Sequence, residues 1–257
     1  MVNSLAEANP LFISITWRAN KASSNISSAR AVRDVCRQEV LLNMSCTGIP
    51  KWQTLVYLRL ARQAALYNIF ALRGDMAQTH DPPFNFNALD MVDWVRQEYS
   101  KADCVTIGIA GYPESHPLSA NQTADLMHLK PTSIHQFCER CRAAGIHQPI
   151  IPGILLFRSF EMVKRLSRTA NVHIPANILH TLDLIQDDQQ TINNYSLYLA
   201  VTLCRRLLTE LDPCIHIFTL NQPQLSGILL RTLGFWIKLD VAIESRILCL
   251  AKSFRDC

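Results

Sequence analysis

The length, composition and charge of the chain restrict the classes of protein to which it can belong. Its 257 residues are 49% hydrophobic and 18% charged, which suits a folded chain with a sizeable core and argues against disorder. The formal net charge is only +4 and the basic residues are scattered, so we expect no nucleic-acid surface. Nine cysteines without framework spacing predict reduced thiols and a cytoplasmic location.

The two ends of the sequence predict neither a signal peptide nor a membrane anchor. Residues 1–10 are mixed polar, without a basic region followed by an apolar run. The longest apolar stretch near the other end, residues 227–243, is interrupted by Arg231, Lys238 and Asp240. We therefore expect no membrane association.

Short apolar runs alternate with longer segments of helical periodicity along the chain. The short runs predict strands buried on both faces, at residues 11–17, 40–46, 67–73, 104–110, 149–155 and 215–220. The longer segments predict helices at residues 28–38, 52–65, 88–99, 120–129, 134–144, 160–169 and 191–208. Strands that alternate with helices favour right-handed crossovers and a parallel sheet or barrel.

Two irregularities bear on the choice between a sheet and a barrel. Six strands are predicted, whereas a closed (β/α)8 barrel needs eight. Residues 120–145 read as a helix, then Pro131, then another helix, where parallel topology calls for a strand between them. The fold is therefore either an open sheet or a barrel that has lost a strand.

The predicted strand ends are polar, aromatic or glycine-rich, as expected where ligands bind in parallel α/β folds. These end residues are Thr16, Trp17, Ser45, Cys46, Arg73, Gly74, Asp75, Tyr112, Pro113, Glu114, Pro152, Gly153, Asn221 and Gln222.

The run Ala-Leu-Arg-Gly-Asp (71–75) places a cation, a flexible glycine and a carboxylate at one strand end. Arg73 can pair with a phosphate or a carboxylate, and Gly74 lets the backbone approach a ligand closely. The alternative interpretation is a strand-to-loop turn with a surface ion pair.

The run Ala-Gly-Tyr-Pro-Glu-Ser-His-Pro (110–117) follows the next strand. Tyr112 offers a stacking face and His116 a donor to a ligand oxygen, although the run can equally be a rigid proline-rich loop. Further along, Asp125 and His128 share one face of a predicted helix, which alone is typical of an exposed surface.

Cys138 and Cys141 have Cys-x-x-Cys spacing, but no second pair or thioredoxin-type context accompanies them. We interpret them as helix residues and expect no metal site.

Taken together, these motifs resemble the methylenetetrahydrofolate reductase family. The matching runs occur in the family's order over about residues 10–235, and Leu-Arg-Gly-Asp with Gly-Tyr-Pro-x-x-His-Pro is the most specific pair. The runs are Ile-Ser-Ile-Thr-Trp (13–17), Asn-Met-Ser-Cys-Thr (43–47), Asn-Ile-Phe-Ala-Leu-Arg-Gly-Asp (68–75), residues 109–117, Ala-Asp-Leu-Met-His-Leu-Lys (124–130), Pro-Ile-Ile-Pro-Gly-Ile (149–154) and His-Ile-Phe-Thr-Leu-Asn (216–221).

The resemblance implies an FAD-containing (β/α)8 TIM barrel that uses NAD(P)H to reduce 5,10-methylenetetrahydrofolate to 5-methyltetrahydrofolate. It also implies a folate substrate and a homo-oligomer. Asp75 is matched to a catalytic position near the flavin ring and the pterin. The residues matched to FAD contacts are Thr16, Arg73, Gly74, Asp75, Ala88, Tyr112, His116, Asp125 and His128.

The chain also departs from the family pattern. The family's first strand carries a Glu proposed as general acid within a Phe-Glu-Phe-Phe-Pro-Pro run, and Glu7 lies in no such run. A sixth strand with a substrate-contacting Gln is expected after Lys130, where Pro131-Thr132-Ser133 leads directly into a helix. The family's strand-three His is Asn43 here, and an Arg that would hold folate is Gln222.

These departures predict an incomplete barrel over residues 1–236, without the family's first and sixth strands, followed by a divergent tail over 237–257. Two functional hypotheses remain open. The chain is a reductase with FAD and NAD(P)H chemistry, or it is a catalytically impaired truncated variant that keeps partial FAD binding or associates with full-length subunits.

Overall fold

The computed structural model describes residues 8–17, 22–74, 84–111, 133–170, 173–211, 213–220 and 223–235. These residues divide into two units, one formed by those up to Gly111 and the other by those from 133 to 235.

The first unit alternates strands with helices. Its strands are β1 (Ile13–Ile15), β2 (Val40–Ser45), β3 (Asn68–Leu72) and β4 (Thr106–Ile109). Its helices are α1 (Ala22–Cys36), α2 (Lys51–Gln63) and α3 (Ala88–Glu98), with a 3-10 turn at Lys101–Asp103 before β4. The strands pair in parallel in the order β1-β2-β3-β4, as expected when a helix connects each strand to the next.

The two faces of this sheet differ in burial. In β2, Val40, Leu42 and Met44 are buried, and they pack with the apolar faces of the three helices in one core cluster. The opposite face is half-buried, and there Asn43 pairs in register with Phe70. The period of two in a strand explains this alternation, because successive side chains point to opposite faces.

Side chains fix the ends of the helices onto the sheet. The buried Tyr99 donates from its hydroxyl to the Leu66 carbonyl at 2.9 Å, and burial raises the pKa of Tyr99 above its ordinary value. Arg33 donates to the carbonyls of Ala64 and Ala65 at the end of α2. These bonds satisfy carbonyls that helix and strand ends leave without backbone partners.

The second unit contains strands β5 (Gly153–Leu155) and β6 (His216–Phe218), which pair in parallel. Its helices are α4 (Ser133–Ala143), α5 (Phe160–Ala170), α6 (Ala176–Ile185), α7 (Gln189–Glu210) and α8 (Pro223–Thr232). Long helix α7 contributes to two apolar clusters. One is centred on Ile154, Leu156, Cys204, Leu207 and Leu229, and the other on Phe160, Val163, Leu182 and Ile192.

The predicted strands are confirmed within two residues at each boundary except at 149–155, where the strand begins only at Gly153. The predicted parallel α/β class is also confirmed. Helix α1 begins at Ala22 rather than at residue 28, and the sequence pattern did not predict α6 and α8. Closure into a (β/α)8 barrel, the loss of the first and sixth strands and the division at residue 236 stay predictions. The helix predicted at 120–129 lies outside the described residues.

Candidate functional site

The carboxyl ends of β1 to β4 meet at one edge of the first sheet, because the four strands are parallel neighbours. Thr16 follows β1, Cys46 follows β2, Arg73 follows β3 and Ala110 follows β4. We call this row of strand ends the carboxyl edge. It is the side on which open parallel sheets bind their ligands.

Arg73 is held at this edge by both its backbone and its side chain. Its carbonyl accepts hydrogen bonds from the amides of Cys46 at 3.2 Å and Thr47 at 2.9 Å. Its Nη2 donates to the Oδ1 of Asn85 at 2.8 Å. The guanidinium is therefore a positioned, half-buried cation beside the ends of β2 and β3.

Gly74 lies where two strand ends come into close contact. Its φ of +96° belongs to a region that residues with a side chain rarely adopt. A Cβ at this position would lie 2.7 Å from the Cβ of Ser45 and 3.2 Å from its Oγ. A glycine is therefore needed at position 74 for the ends of β2 and β3 to lie in contact, whether or not a ligand also lies beside it.

The segment 84–87 is hydrogen-bonded to the loop that follows β2. The amide of Gly48 donates to the Phe84 carbonyl at 2.9 Å, and the Thr47 hydroxyl donates to the Phe86 carbonyl at 3.2 Å. Asn85 in the same segment accepts a hydrogen bond from the guanidinium of Arg73. The segment therefore connects Arg73, at the end of β3, to the start of α3.

Ala88 is the first residue of α3 and is half-buried. The preceding Asn87 caps the helix, since its Oδ1 accepts from the amides of Leu89 and Asp90 while Asp90 accepts from the Asn87 amide. The amides of Leu89 and Asp90 are therefore already hydrogen-bonded within the protein.

Cys46 is a structural thiol at this edge. Its Sγ donates to the Asn87 carbonyl at 3.2 Å and lies 3.5 Å from the Leu72 carbonyl. Burial, reinforced by the charge of Asp90, raises the pKa of the Cys46 thiol to about 11. The thiol stays protonated at neutral pH, which makes it a poor nucleophile.

The Oδ1 of Asn43 and the Nε1 of Trp17 are buried polar atoms of the first unit that have no hydrogen-bond partner among the described residues. Asn43 lies on the half-buried face of β2, and Trp17 packs edge-on against Tyr57 with 5.3 Å between ring centroids. A buried polar atom without a hydrogen-bond partner lowers the stability of the fold unless a ligand or a water molecule forms the missing hydrogen bond.

The residues matched to FAD contacts are placed as follows. Thr16, Arg73 and Gly74 lie on the carboxyl edge, and Ala88 follows the segment that holds Arg73. Thr16 is exposed and is separated from Arg73 by strand β2, a spacing of roughly 10 Å for two interstrand steps. The other matched residues, Asp75, Tyr112, His116, Asp125 and His128, lie outside the described residues.

Sequence reasoning missed Asn85, which holds the guanidinium of Arg73, and the packing role of Ser45 against Gly74. The sequence marks Ser45 only as a polar strand end and does not mark Asn85, because both act through contacts with residues far from them in the chain. Within the described ranges, no group of three or more His, Cys, Asp or Glu side chains can hold a metal ion. No helix in those ranges is long and apolar enough to cross a membrane.

A parallel sheet whose strands are connected by helices defines this unit as an α/β fold, with a positioned cation at its carboxyl edge. The chain matches the profile of a family described as methylenetetrahydrofolate reductase over residues 1–132 and again over 131–234. The chain belongs to the methylenetetrahydrofolate reductase family, which confirms the resemblance found in its motifs.

Individual relatives carry the same family name. A "Probable methylenetetrahydrofolate reductase (NADPH)" of Caenorhabditis elegans is 33% identical over 262 residues, covering 91% of this chain and 39% of the relative. "Methylenetetrahydrofolate reductase (NADH) 1" of Arabidopsis thaliana is 27% identical, covering 95% and 45%. The "5,10-methylenetetrahydrofolate reductase" of Escherichia coli is 28% identical, covering 91% and 83%. The chain thus spans less than half the length of these two eukaryotic relatives.

Proposed function

We propose that this chain binds FAD at the carboxyl edge of the β1–β4 sheet and takes part in the reaction for which its relatives are named. The chemistry that FAD supplies when bound is hydride transfer from NAD(P)H to 5,10-methylenetetrahydrofolate, which gives 5-methyltetrahydrofolate. The observation that carries the proposal is the guanidinium of Arg73, held at that edge by Asn85.

The described part of the edge fits such a cofactor. Arg73 offers several N–H donors in a fixed fork, which suits phosphate or ribityl oxygens. Thr16 adds an exposed hydroxyl at the same edge.

The remaining roles come from the family match. Asp75 would accept from the N–H groups of the pterin and act in catalysis, while Tyr112, His116, Asp125 and His128 would complete the FAD contacts. The relatives named for NADPH and for NADH support NAD(P)H as the reductant without favouring one nucleotide. A cytoplasmic location and a homo-oligomer complete the proposal.

The visible absorption spectrum of the purified full chain, before and after NADPH is added without oxygen, tests the proposal. We expect a flavin spectrum that bleaches. Replacing Arg73 by Gln should weaken FAD binding about 10- to 100-fold, the loss expected when a hydrogen bond to a charged group is removed. The control is Arg96→Gln, which removes an equal charge from an exposed position on α3. A folded chain that stays colourless and takes up no added FAD would rule the proposal out.

A second candidate is a flavin-binding chain with impaired turnover. It is favoured by the family match, which falls into two segments that meet at residues 131–132. A break there supports the loss of the strand expected after Lys130, with its substrate-contacting Gln.

The two candidates differ in the second half of the reaction. A complete reductase would regain the oxidised flavin spectrum when 5,10-methylenetetrahydrofolate is added to the NADPH-bleached protein. The impaired variant would bleach with NADPH and remain bleached on the same timescale. Each outcome assigns the chain to one candidate.

A further inference from the structure

Strand β6 has an outer edge, on the side away from β5, that can accept a further strand. Within the described ranges, the second sheet consists of β5 and β6. The amide of His216 donates to the carbonyl of Pro152 at 2.9 Å, so the backbone groups of His216 point towards β5. Because successive residues of a strand direct these groups to opposite sides, the amide and carbonyl of Ile217 point to the outer edge. An edge of this kind is a template for strand pairing.

The apolar cluster beside this edge is only partly covered. Ile217 of β6 packs against the cluster that contains the fully buried Leu229 of α8. Leu225 and Leu233 pack against the same cluster, and all three side chains remain half-buried. A further apolar segment packed here would remove more of this surface from water and stabilise the unit.

Helix α8 ends in a turn that stops the helix. Gly234 has a φ of +82°, and its amide donates to the Arg231 carbonyl at 3.0 Å. The Phe235 amide donates to the Leu230 carbonyl at 2.9 Å. These two bonds form the Schellman motif, in which a glycine with a positive φ ends a helix. Residues beyond Phe235 are therefore not a continuation of α8.

The sequence that follows α8 has the pattern of a strand. Residues 237–243 read Ile-Lys-Leu-Asp-Val-Ala-Ile, so that every second side chain is large and apolar. Three of these four apolar residues are β-branched, which favours a strand. The alternative is a helix that begins near Leu239, in which Ala242 and Ile243 would share a face with Leu239 and Val241 would lie opposite.

The connection through α8 favours the strand. In the first unit, each strand pairs in parallel with the next one after a helical connection. Residues 219–236 contain α8 and are long enough for the same crossover, which needs about a dozen residues or more. A strand that follows α8 would then lie parallel to β6 and beside it.

We propose that residues 237–243 form a strand that pairs in parallel with the outer edge of β6. Its four large apolar side chains pack against the cluster that contains Leu229, and its other side chains lie on the face of His216 and Phe218. Phe218 is 44% exposed, so that face tolerates the charges of Lys238 and Asp240. The segment thus extends the second sheet to three strands, independently of any cofactor.

Amide hydrogen exchange of the full chain, followed residue by residue by NMR, tests this pairing. The amide of Ile217 should be protected in the unaltered chain. Val241→Lys places a charge on the apolar face of the strand and should speed exchange at Ile217 at least about 10-fold. The amides of His216 and Phe218 point towards β5, and they serve as internal references whose exchange should change much less.

Two further variants separate the strand from the helix and from general damage. Ala242→Lys adds the same charge one residue away, where it lies on the exposed face of a strand but on the apolar face of a helix. It should therefore leave Ile217 protected. Val241→Thr keeps the β-branched shape without a charge and should retain most of the protection.

Each other outcome overturns the proposal. An Ile217 amide that exchanges freely in the unaltered chain, or equally slowly in Val241→Lys, shows that 237–243 does not pair there, and in the second case that a second copy or another segment covers the edge. A larger effect of Ala242→Lys than of Val241→Lys identifies a helix. Equal acceleration at Ile217, His216 and Phe218 means that the tail stabilises the unit without pairing with β6. Because no flavin takes part, these results are separate from FAD uptake, which tests the proposed function.

Discussion

Gly74 is a residue whose lack of a side chain is required by its surroundings. Its positive φ and the 2.7 Å that would separate an added Cβ from the Cβ of Ser45 both oppose any larger residue. We predict that Gly74→Ala lowers the free energy of unfolding by about 1–3 kcal/mol, the cost of a residue in a sparsely populated conformation. Urea unfolding followed by circular dichroism measures the change.

Two variants divide this loss into its causes. Gly48 also has a positive φ, +76°, but a Cβ there meets nothing within 4 Å, so Gly48→Ala reports the conformational cost alone. Adding Ser45→Gly to Gly74→Ala removes the clashing Cβ and should recover the steric part. If Gly74→Ala lowers the free energy of unfolding no more than Gly48→Ala does, the contact between the ends of β2 and β3 is not tight.

At the scale of elements, helix α3 begins at a capping box formed by Asn87 and Asp90. We predict that Asn87→Ala lowers the free energy of unfolding by about 1 kcal/mol, because two amides in the first turn lose their acceptor. Asn87→Asp should retain most of the stability, since a carboxylate accepts the same bonds and favours the helix N-terminus. If Asn87→Ala and Asn87→Asp lower the free energy of unfolding equally, hydrogen bonds from the cap are not what stabilises the start of α3.

The sequence predicted the elements more fully than it predicted their contacts. Apolar runs located the described strands because most of their side chains are apolar, although β2 is fully buried on one face only and not on both faces as the sequence predicted. Helix α6 was missed although Ile178, Leu179, Leu182 and Ile185 have helical spacing, since the chain turns into it at Pro175 without a polar cap. Such a start carries none of the usual signals of a helix N-terminus.

The candidate site shows the same limit. Arg73 and Gly74 were predicted from one continuous run at a strand end, and the structure places both on the carboxyl edge. Asn85 comes from the segment before α3 and Ser45 from the end of β2, and they become neighbours of Arg73 and Gly74 only when the chain folds. Sequence patterns report local periodicity, so a pair of residues joined by tertiary packing leaves no such signal.

At the scale of the whole molecule, stability should depend on pH through His216 in β6. Burial lowers the pKa of His216 below its ordinary value of 6.5. Its ring lies edge-on to Phe218 at 4.6 Å between centroids, and its backbone pairs with Gly153 in the second unit's sheet. The folded chain therefore opposes protonation of a group that the unfolded chain protonates readily.

The sign of the effect follows from which state binds the proton. Well above pH 6.5 His216 is neutral in both states, and its contribution to stability does not change with pH. As the pH falls from 6.5 towards the lowered folded-state pKa, the unfolded chain binds a proton that the folded chain does not, so the free energy of unfolding decreases. Below the folded-state pKa both states are protonated, and the contribution becomes constant again.

We predict that His216→Gln reduces the decline in the free energy of unfolding between about pH 7 and 5, since glutamine does not titrate in that range. Urea unfolding at several pH values measures the slope. His180→Gln, at an exposed position on α6, is the matched control and should keep the slope of the unaltered chain. If His216→Gln and the unaltered chain lose stability equally over this range, β6 does not hold a neutral histidine, and the acid sensitivity arises elsewhere in the molecule.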